Sequence, residues 1–297
     1  MILVVGATGL LGGMITQQLL QQGNSVRILV RHNSPATEMA KQGLGTPAQT
    51  LIDAGAQPVY GDLKDRASLD AACAGIETVI TTANSILRGG EDTIESVDLQ
   101  GTQNLIDAAK TAGVRHLIYT SADGVDINHP NPFYQAKAAC EAHLAASGLD
   151  YTILKPGVFM EVWIGAVVGI PLQAGQPVTL VGKGNHQHAF VSVGDVAKYA
   201  VTAVSHAAAR NKAIRIAGPV SYTWTEIVET TGQVLGQSLP INYMPMGETV
   251  PLIPEMMSSM LSGFETYESG IDMNETASIY GIQPTPLAVF AERFFKG

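Results

Sequence analysis

A glycine-rich turn near the amino terminus constrains the fold more than any other feature of this sequence. The stretch VVGATGLLGG, residues 4–13, begins as an apolar run and then places four glycines ahead of an apolar stripe with helical spacing. A strand that leads through a bare turn into a helix is the arrangement in which backbone amides meet a pyrophosphate. Gly6 permits the tight turn, Gly9 the approach of phosphates and Gly12 close packing of the helix on the sheet. The residues of this turn expected to contact a dinucleotide are Gly6, Thr8, Gly9, Leu10, Leu11 and Gly12. A glycine-rich turn without a ligand is the alternative.

Short β-branched runs alternate with helical stripes through the first half of the chain. The runs lie at residues 2–5, 25–31, 56–62, 77–82, 116–121 and 151–156. Parallel strands need long crossover connections, and those crossovers are right-handed. The alternation therefore predicts an α/β fold, a Rossmann-type doubly wound parallel sheet with helices on both faces.

The alternation weakens after Pro156, where Gly, Pro and Met become frequent. We therefore predict a dinucleotide-binding domain over residues 1–156 and a smaller substrate-binding cap over residues 157–297. Residues 186–218 return to a strand, helix, strand order, and we expect them to rejoin the main sheet.

Charge and cysteine content limit the partners. The chain of 297 residues has a net charge of −9 and no basic run, which argues against a nucleic acid. Cys73 and Cys140 are the only cysteines, as is typical of a reducing, cytoplasmic compartment. The longest apolar candidate for a membrane span, from Val162, contains Gly and Pro and is too short. We therefore expect a cytoplasmic protein with a small apolar substrate, no nucleic acid and no membrane partner.

The end of the second strand indicates which dinucleotide is bound. An NAD site usually places an acidic residue about 20 residues beyond the glycines, where it accepts hydrogen bonds from the ribose hydroxyls. Arg31 stands at that place in this sequence. A guanidinium suits the 2′-phosphate of NADP, and no carboxylate at that position repels the phosphate. We therefore predict NADP as the cofactor, with NADPH preferred over NADH; a solvated arginine at a strand end is the alternative.

Several segments together resemble the atypical short-chain dehydrogenases/reductases, and in particular the NmrA-like group. They are GATGLLGG, VRILVR, GDLKD, GTQNLIDAAKTAGVRHLIYTSA, FYQAK and YTILKPGVFME, in that order. The resemblance covers about the first 200 residues and is only loose in the cap. It implies a family of NADPH-dependent quinone reductases, isoflavone reductase-like enzymes and catalytically silent redox sensors.

The resemblance also implies roles for residues that follow the strands. Asp62 is expected to accept a hydrogen bond from the adenine amino group and Leu63 to lie against the ring, although Asp62 could instead cap the next helix. Lys137 matches the family lysine that hydrogen-bonds the nicotinamide ribose. The further cofactor contacts that the resemblance implies are Thr82, Ala83, Asn84, Thr120, Ser121, Pro156, Gly157 and Val158.

One position departs from the YxxxK pattern of most active members. Phe133 stands four residues before Lys137, and phenylalanine cannot donate a proton to a carbonyl oxygen. Tyr134 lies three residues before Lys137 and shares its helix face, so Lys137 and Tyr134 are the candidate catalytic pair, with simple packing as the alternative for Tyr134. Without such a tyrosine the acceptor must need no strong protein acid. A quinone meets that condition because water can protonate the hydroquinone anion.

The remaining candidates concern the substrate and metals. His186 and His188 could approach a metal, but no third ligand is evident, so we predict no metal site. The residues expected to contact substrate are Ser85, Arg88, Tyr134, Phe159, Met160 and Trp163.

The sequence thus predicts an NADPH-dependent oxidoreductase that passes hydride to an apolar acceptor, such as a quinone or a related carbonyl or enone. A non-catalytic NADP(H)-binding redox sensor with a protein partner is the first alternative. A sugar-nucleotide epimerase or dehydratase that retains NAD is the second. The oligomeric state stays open, with a homodimer as one alternative.

Overall fold

The computed structural model describes residues 1–32, 43–86 and 90–297. Two compact units make up the chain. The first unit comprises Met1–Pro156 and Val196–Arg215, and the second comprises Gly157–Asp195 and Ile216–Gly297. The candidate dinucleotide turn lies in the first unit.

A seven-stranded sheet organises the first unit. Its strands are β1 (Ile2–Val5), β2 (Val26–Val30), β3 (Gln57–Tyr60), β4 (Thr78–Thr81), β5 (His116–Thr120), β6 (Asp150–Pro156) and, further along the chain, β10 (Lys212–Ile216). Their order is β10-β6-β5-β4-β1-β2-β3, and the pairs from β6 across to β3 are parallel. The chain therefore runs outward from β1 to one edge and then from β4 to the other. This confirms the predicted doubly wound sheet, whose switch point between β1 and β4 is where ligands usually bind.

Helices connect these strands and cover the sheet. They are α1 (Leu10–Gln21), α2 (Ala48–Asp53), α3 (Arg66–Cys73), α4 (Thr102–Thr111), α5 (Pro132–Ala146) and α8 (Val193–Ala203). Leu3 and Val5 of β1 share a core cluster with Leu69 of α3, Leu105 of α4 and Leu144 of α5. Successive side chains of a strand point to opposite faces of the sheet. Burial of Leu3 and Val5 therefore fixes which face of β1 packs against these helices.

The helical segment that precedes β5 consists of two kinds of helix. Ile94–Gly101 is π-helical and continues into α4 without a break. Thr93 caps it, with Ser96 completing a capping box. Apolar spacing alone does not distinguish the wider turn, and π-helical turns are frequent at functional sites. This one contains Asp98, which is fully buried.

The second unit has its own small sheets and core. Its parallel strand pairs are β7 (Val158–Phe159) with β9 (Phe190–Val191), and β8 (Val178–Val181) with β11 (Ile241–Met244). Its helices are α6 (Met160–Ile164), a π-helical turn at Gly165–Gly169, α7 (Ile170–Gln173), α9 (Trp224–Leu235), α10 (Glu255–Phe264), α11 (Asn274–Tyr280) and α12 (Leu287–Lys296). A short 3₁₀ turn at Ala207–Ala209 belongs to the first unit.

The expectation that residues 186–218 rejoin the main sheet is right for β10 and wrong for β9. β10 lies beside β6, whereas β9 pairs with β7. Close approach at Gly157 explains the second pairing, because a Cβ there would lie 2.1 Å from the Ala189 carbonyl oxygen. Within the three described ranges, no helix is long and apolar enough to cross a bilayer.

Candidate functional site

The glycine-rich turn at the carboxyl end of β1 has no room for side chains at two positions. Gly6 has a φ of +85°, and a Cβ there would lie 2.7 Å from Thr82 Oγ1 and 2.8 Å from the Ala83 nitrogen. A Cβ on Gly12 would lie 2.1 Å from the Gly6 carbonyl oxygen. These contacts bring the start of α1 against the ends of β1 and β4, and they give the bare turn a steric cause.

The amino terminus of α1 is open to an anion. Gly9 is the N-cap of this 12-residue helix, so no side chain caps it, and no acidic residue lies in the first turn. A Cβ on Gly9 would meet only the Gly6 carbonyl oxygen, at 3.4 Å, among the described atoms. The first amides of a helix lack intrahelical acceptors and attract negative charge. The turn therefore fits the diphosphate of a dinucleotide.

Residues 43–47 pack directly against this turn, a contact that the sequence did not indicate. The Thr46 amide donates to the Thr8 carbonyl at 3.0 Å, and Gly45 forms an isolated bridge with Gly9. A Cβ on Gly13 would lie 2.3 Å from Thr46 Oγ1, which explains the fourth glycine of the run. Gly45 and Thr46 thus pack on the turn from the amino-terminal side of α2.

Three charged side chains meet where β2, β3 and β4 end, and we call Arg31, Lys64 and Asp92 the rim cluster. Arg31 Nη1 lies 2.5 Å from one Asp92 carboxylate oxygen, and Lys64 Nζ lies 2.9 Å from the other. The side chains are 22%, 34% and 9% exposed, respectively. The sequence predicted Arg31 but missed both partners.

Mutual pairing shifts the proton affinities in this cluster. The hydrogen bond to Asp92 raises the pKa of Lys64. Burial alone would raise the pKa of Asp92, but the hydrogen bonds from Lys64 and Arg31 outweigh it and hold that pKa below its ordinary value. Lys64 and Asp92 are therefore both charged at neutral pH.

The predicted adenine contacts have other partners in this structure. Asp62 accepts a hydrogen bond from the Lys64 amide at 2.9 Å, whereas Asp65 caps α3 through the Ala67 amide at 3.1 Å. The capping alternative for Asp62 is therefore wrong. Leu63 is buried, and a Cβ on Gly101 would lie 2.9 Å from its Cβ, so its side chain packs against the helix that precedes α4.

Lys137 of α5 is a buried lysine. Its Nζ donates to the Thr120 carbonyl oxygen at 3.0 Å, at the carboxyl end of β5. It also lies 4.9 Å from the centre of the Tyr119 ring and 5.2 Å from that of Phe133. Burial lowers the pKa of Lys137, and the nearby charge of Asp98 opposes that shift only in part. The ammonium is therefore more acidic than an ordinary lysine.

Three polar atoms near this lysine are buried without a hydrogen-bond partner in the described structure. They are Asp98 Oδ1, Thr120 Oγ1 and the Tyr119 hydroxyl oxygen. The other Asp98 oxygen accepts from the Ser85 amide at 3.0 Å and from its hydroxyl at 2.6 Å. Buried polar atoms are normally satisfied by protein, water or ligand, so these three atoms leave unused hydrogen-bonding capacity beside Lys137.

Tyr134 lies apart from the described contacts of Lys137. Its ring stacks on His129 with 4.4 Å between centroids. Burial, with a smaller contribution from Asp123, raises the pKa of its hydroxyl. Proton donation by Tyr134 stays a prediction.

A second polar group follows β5. Ser121 Oγ donates to Glu141 at 2.5 Å, and Lys155 Nζ lies 3.1 Å from the other oxygen of the same carboxylate. Sequence reasoning identified Ser121 but missed Glu141, which lies one helical turn beyond Lys137 on α5. Residues four apart lie on the same face of a helix, so the spacing between Lys137 and Glu141 could have identified Glu141 from the sequence.

The other cofactor candidates at the strand ends are fixed by backbone contacts. Thr82 Oγ1 donates to the Gly6 carbonyl at 3.3 Å, and Asn84 accepts from the Ile86 amide at 3.0 Å. Ala83 and Pro156 are buried. Their predicted contacts with a cofactor stay predictions.

Two predicted substrate contacts, Met160 and Ser85, are buried in this structure, and their contact with a substrate stays a prediction. Met160 is fully buried in the core cluster of the second unit, because α6 turns it inward. Ser85 is buried and its hydroxyl is committed to Asp98. Arg88 lies outside the described residues.

The remaining candidates in the second unit are half-buried. They are Gly157, Val158, Phe159 and Trp163. The ring of Trp163 meets Phe264 edge to face, with 5.0 Å between centroids. His188 is tied through Nε2 to the Phe264 carbonyl at 2.9 Å. Across the described ranges, no group of three or more His, Cys, Asp or Glu residues could hold a metal ion.

Comparison with known proteins places these features in a family. The sequence model of the NmrA-like family matches residues 1–285. The photosystem II assembly factor Ycf39 of Synechocystis is 32% identical over 245 residues, which are 82% of this chain and 71% of that protein. The isoflavone reductase homolog IRL of Zea mays is 29% identical over 264 residues, which are 86% of this chain and 80% of that protein.

Among solved structures, the NADPH-dependent quinone oxidoreductase of Escherichia coli, complexed with NADPH, superposes with a TM-score of 0.77. The sequences are 24% identical, and the match covers 99% of this chain and 100% of that chain. At this identity the likeness establishes the fold.

Proposed function

The chain belongs to the NmrA-like family, and from that premise we propose that it is an NADPH-dependent oxidoreductase that passes hydride to an apolar acceptor of the quinone class. The observation that carries the proposal is that two features lie at the carboxyl ends of the strands. One is the glycine-rich turn followed by α1, whose amino terminus no side chain caps, and the other is the pair of cations in the rim cluster. The first suits a diphosphate and the second suits a further phosphate.

Each part of the dinucleotide has residues of suitable chemistry. Backbone amides from Gly6 to Gly12 would hold the diphosphate, and Arg31 with Lys64 would hold the 2′-phosphate. Lys137 would donate to the nicotinamide ribose, where the unpartnered Thr120 hydroxyl offers a further hydrogen bond. The nicotinamide supplies the hydride, and the protein supplies orientation and a water-poor environment.

The side chains near Lys137 favour an acceptor that needs little acid catalysis. Phe133 holds the place of the usual tyrosine, and its ring lies against the Lys137 ammonium. Phenylalanine has no hydroxyl, so a simple ketone would lack the proton donor that a tyrosine at this position supplies. A quinone gains stability on reduction and can take its proton from water. The name of the E. coli structural neighbour, a quinone oxidoreductase, agrees with this choice.

Steady-state NADPH oxidation tests the proposal. The purified chain is mixed with NADPH and a panel of quinones, enones and simple ketones, and absorbance at the nicotinamide band is followed. We expect turnover with quinones and little with ketones, with NADPH preferred over NADH. Binding of neither coenzyme would contradict the cofactor assignment, and ketone turnover equal to quinone turnover would contradict the acceptor class.

A non-catalytic NADP(H)-binding role is the second candidate. Phe133 favours it, because a protein that only senses the cofactor needs no proton donor. The relative named a photosystem II assembly factor also agrees with a role exercised through a protein partner. Tight NADPH binding without turnover across the whole acceptor panel would favour this role over the enzyme.

A further inference from the structure

The rim cluster brings together side chains that are distant in the chain. Arg31 follows β2, Lys64 follows β3, and Asp92 comes after β4. Asp92 is 61 residues from Arg31 and 28 from Lys64. The strands β4, β1, β2 and β3 are neighbours in that order. Asp92, which follows β4, therefore pairs with residues at the ends of β2 and β3, beyond β1. Each of its carboxylate oxygens takes one of the two cations.

The charges of this arrangement set up a competition. Arg31 and Lys64 carry two positive charges, and Asp92 pairs with both of them, while Asp62 and Glu91 act on Lys64 only through their nearby charge. A 2′-phosphate brings up to two negative charges and three acceptor oxygens, which need the same donors. The phosphate and the carboxylate would repel each other at such close range, so both cannot hold the pair at once.

We propose that Asp92 is a specificity-determining residue that competes with the 2′-phosphate of NADPH for Arg31 and Lys64. The inference rests on the proposed function, since it assumes that this edge of the sheet binds the adenosine part of the cofactor. Asp92 lowers the affinity for NADPH because it must leave the two cations when the phosphate arrives. NADH has a hydroxyl at that position, and a carboxylate is the usual acceptor for it, so Asp92 does not weaken NADH in the same way.

The burial of the carboxylate strengthens the case. The Asp92 side chain is only 9% exposed, so its contact with the two cations is largely shielded from solvent. Its lowered pKa shows that it stays ionised around neutral pH, where cofactors are normally bound. The sequence suggested an arginine with no opposing carboxylate, and the fold supplies that carboxylate from a distant loop.

The test measures coenzyme affinity in variants of the full chain. Dissociation constants for NADPH and NADH are determined by fluorescence titration or calorimetry for the wild type, Asp92→Asn and Asp70→Asn. Asp70 is the matched control, because it pairs with Arg66 one turn away on α3, outside the rim cluster. Asp92→Ser provides a second neutral variant if the asparagine disturbs folding, which thermal melting checks.

We expect Asp92→Asn to lower the dissociation constant for NADPH about fivefold. The dissociation constant for NADH should stay within about twofold of the wild-type value or rise. The dissociation constant for NADH divided by that for NADPH should rise in both Asp92 variants. The same ratio should stay constant in Asp70→Asn. An unchanged or reduced ratio in well-folded Asp92 variants would overturn the role of Asp92 while leaving the proposed function intact. Absence of NADPH binding in the wild type would remove the proposed function and this inference with it.

Discussion

Lys64 and Lys137 lie at the same edge of one sheet and have opposite surroundings. Lys64 is at the rim, partly exposed, with a carboxylate at 2.9 Å. Lys137 is buried, and it donates to a backbone carbonyl between two aromatic rings. Pairing with Asp92 raises the pKa of Lys64, whereas burial lowers the pKa of Lys137.

The difference indicates a division of labour between the two lysines. A rim lysine that keeps its charge attracts an anion and should affect cofactor affinity. A buried lysine gives strong, directed hydrogen bonds in a low-dielectric site and should affect the chemical step. In the proposed function, Lys64 would therefore serve cofactor recognition and Lys137 would serve cofactor orientation.

The largest expected effect is the loss of Lys137. Lys137→Met should lower kcat for NADPH-dependent quinone reduction by about 100-fold, because the nicotinamide ribose loses the donor that orients it. Lys64→Met should leave kcat unchanged and raise KM for NADPH about fivefold. Steady-state kinetics on both variants measure the two parameters separately.

Lys155→Met is a matched control for Lys137→Met, since Lys155 pairs with Glu141 beside the same helix but does not touch Thr120. We expect it to keep kcat within about threefold. If Lys137→Met and Lys64→Met changed the same kinetic parameter, the division of labour would be wrong.

The second expected effect concerns Arg31. Arg31→Asp should weaken NADPH binding by about 30-fold and NADH by much less, because it removes a phosphate donor and adds a repelling carboxylate. Titration of both coenzymes measures the change. Arg66→Asp, the same substitution on α3, should change neither affinity. Equal losses for NADPH and NADH in Arg31→Asp would show that Arg31 does not contact the 2′-phosphate.

The fold could be predicted because its signals are local. The apolar runs that form β1 to β6 repeat within a few residues, and each ends within about two residues of the predicted boundary. The glycines of the turn are likewise close in sequence, and their steric need is explained by contacts with Gly6 and Thr82. The order of the segments was also sufficient to identify the NmrA-like family.

The partners of the candidate residues could not be predicted because they are distant in sequence. Asp92 reaches Arg31 across 61 residues, and no periodic pattern encodes that contact. Asp98 points at Ser85 from a π-helical turn, which has the apolar spacing of an ordinary helix. Met160 follows a strand as a pocket residue would, but α6 turns it into the core.

The smallest expected effect is on stability at alkaline pH, and it has opposite signs for the two lysines. Burial gives Lys137 a lower pKa in the folded state than in the unfolded chain, so the unfolded chain binds more protons between those two values. The free energy of unfolding should therefore rise with pH in that interval for the wild type relative to Lys137→Met. Lys64 has a raised pKa in the folded state. Its contribution to the free energy of unfolding is therefore complete below the ordinary lysine pKa and is lost only as the pH rises above it. Urea unfolding from about pH 8 to about pH 10 measures the free energy of unfolding as a function of pH. The wild-type values should diverge from those of Lys137→Met and run parallel to those of Lys64→Met over this range. Parallel curves for all three proteins would mean that Lys137 binds its proton equally well in both states, which would contradict its position in a dry site.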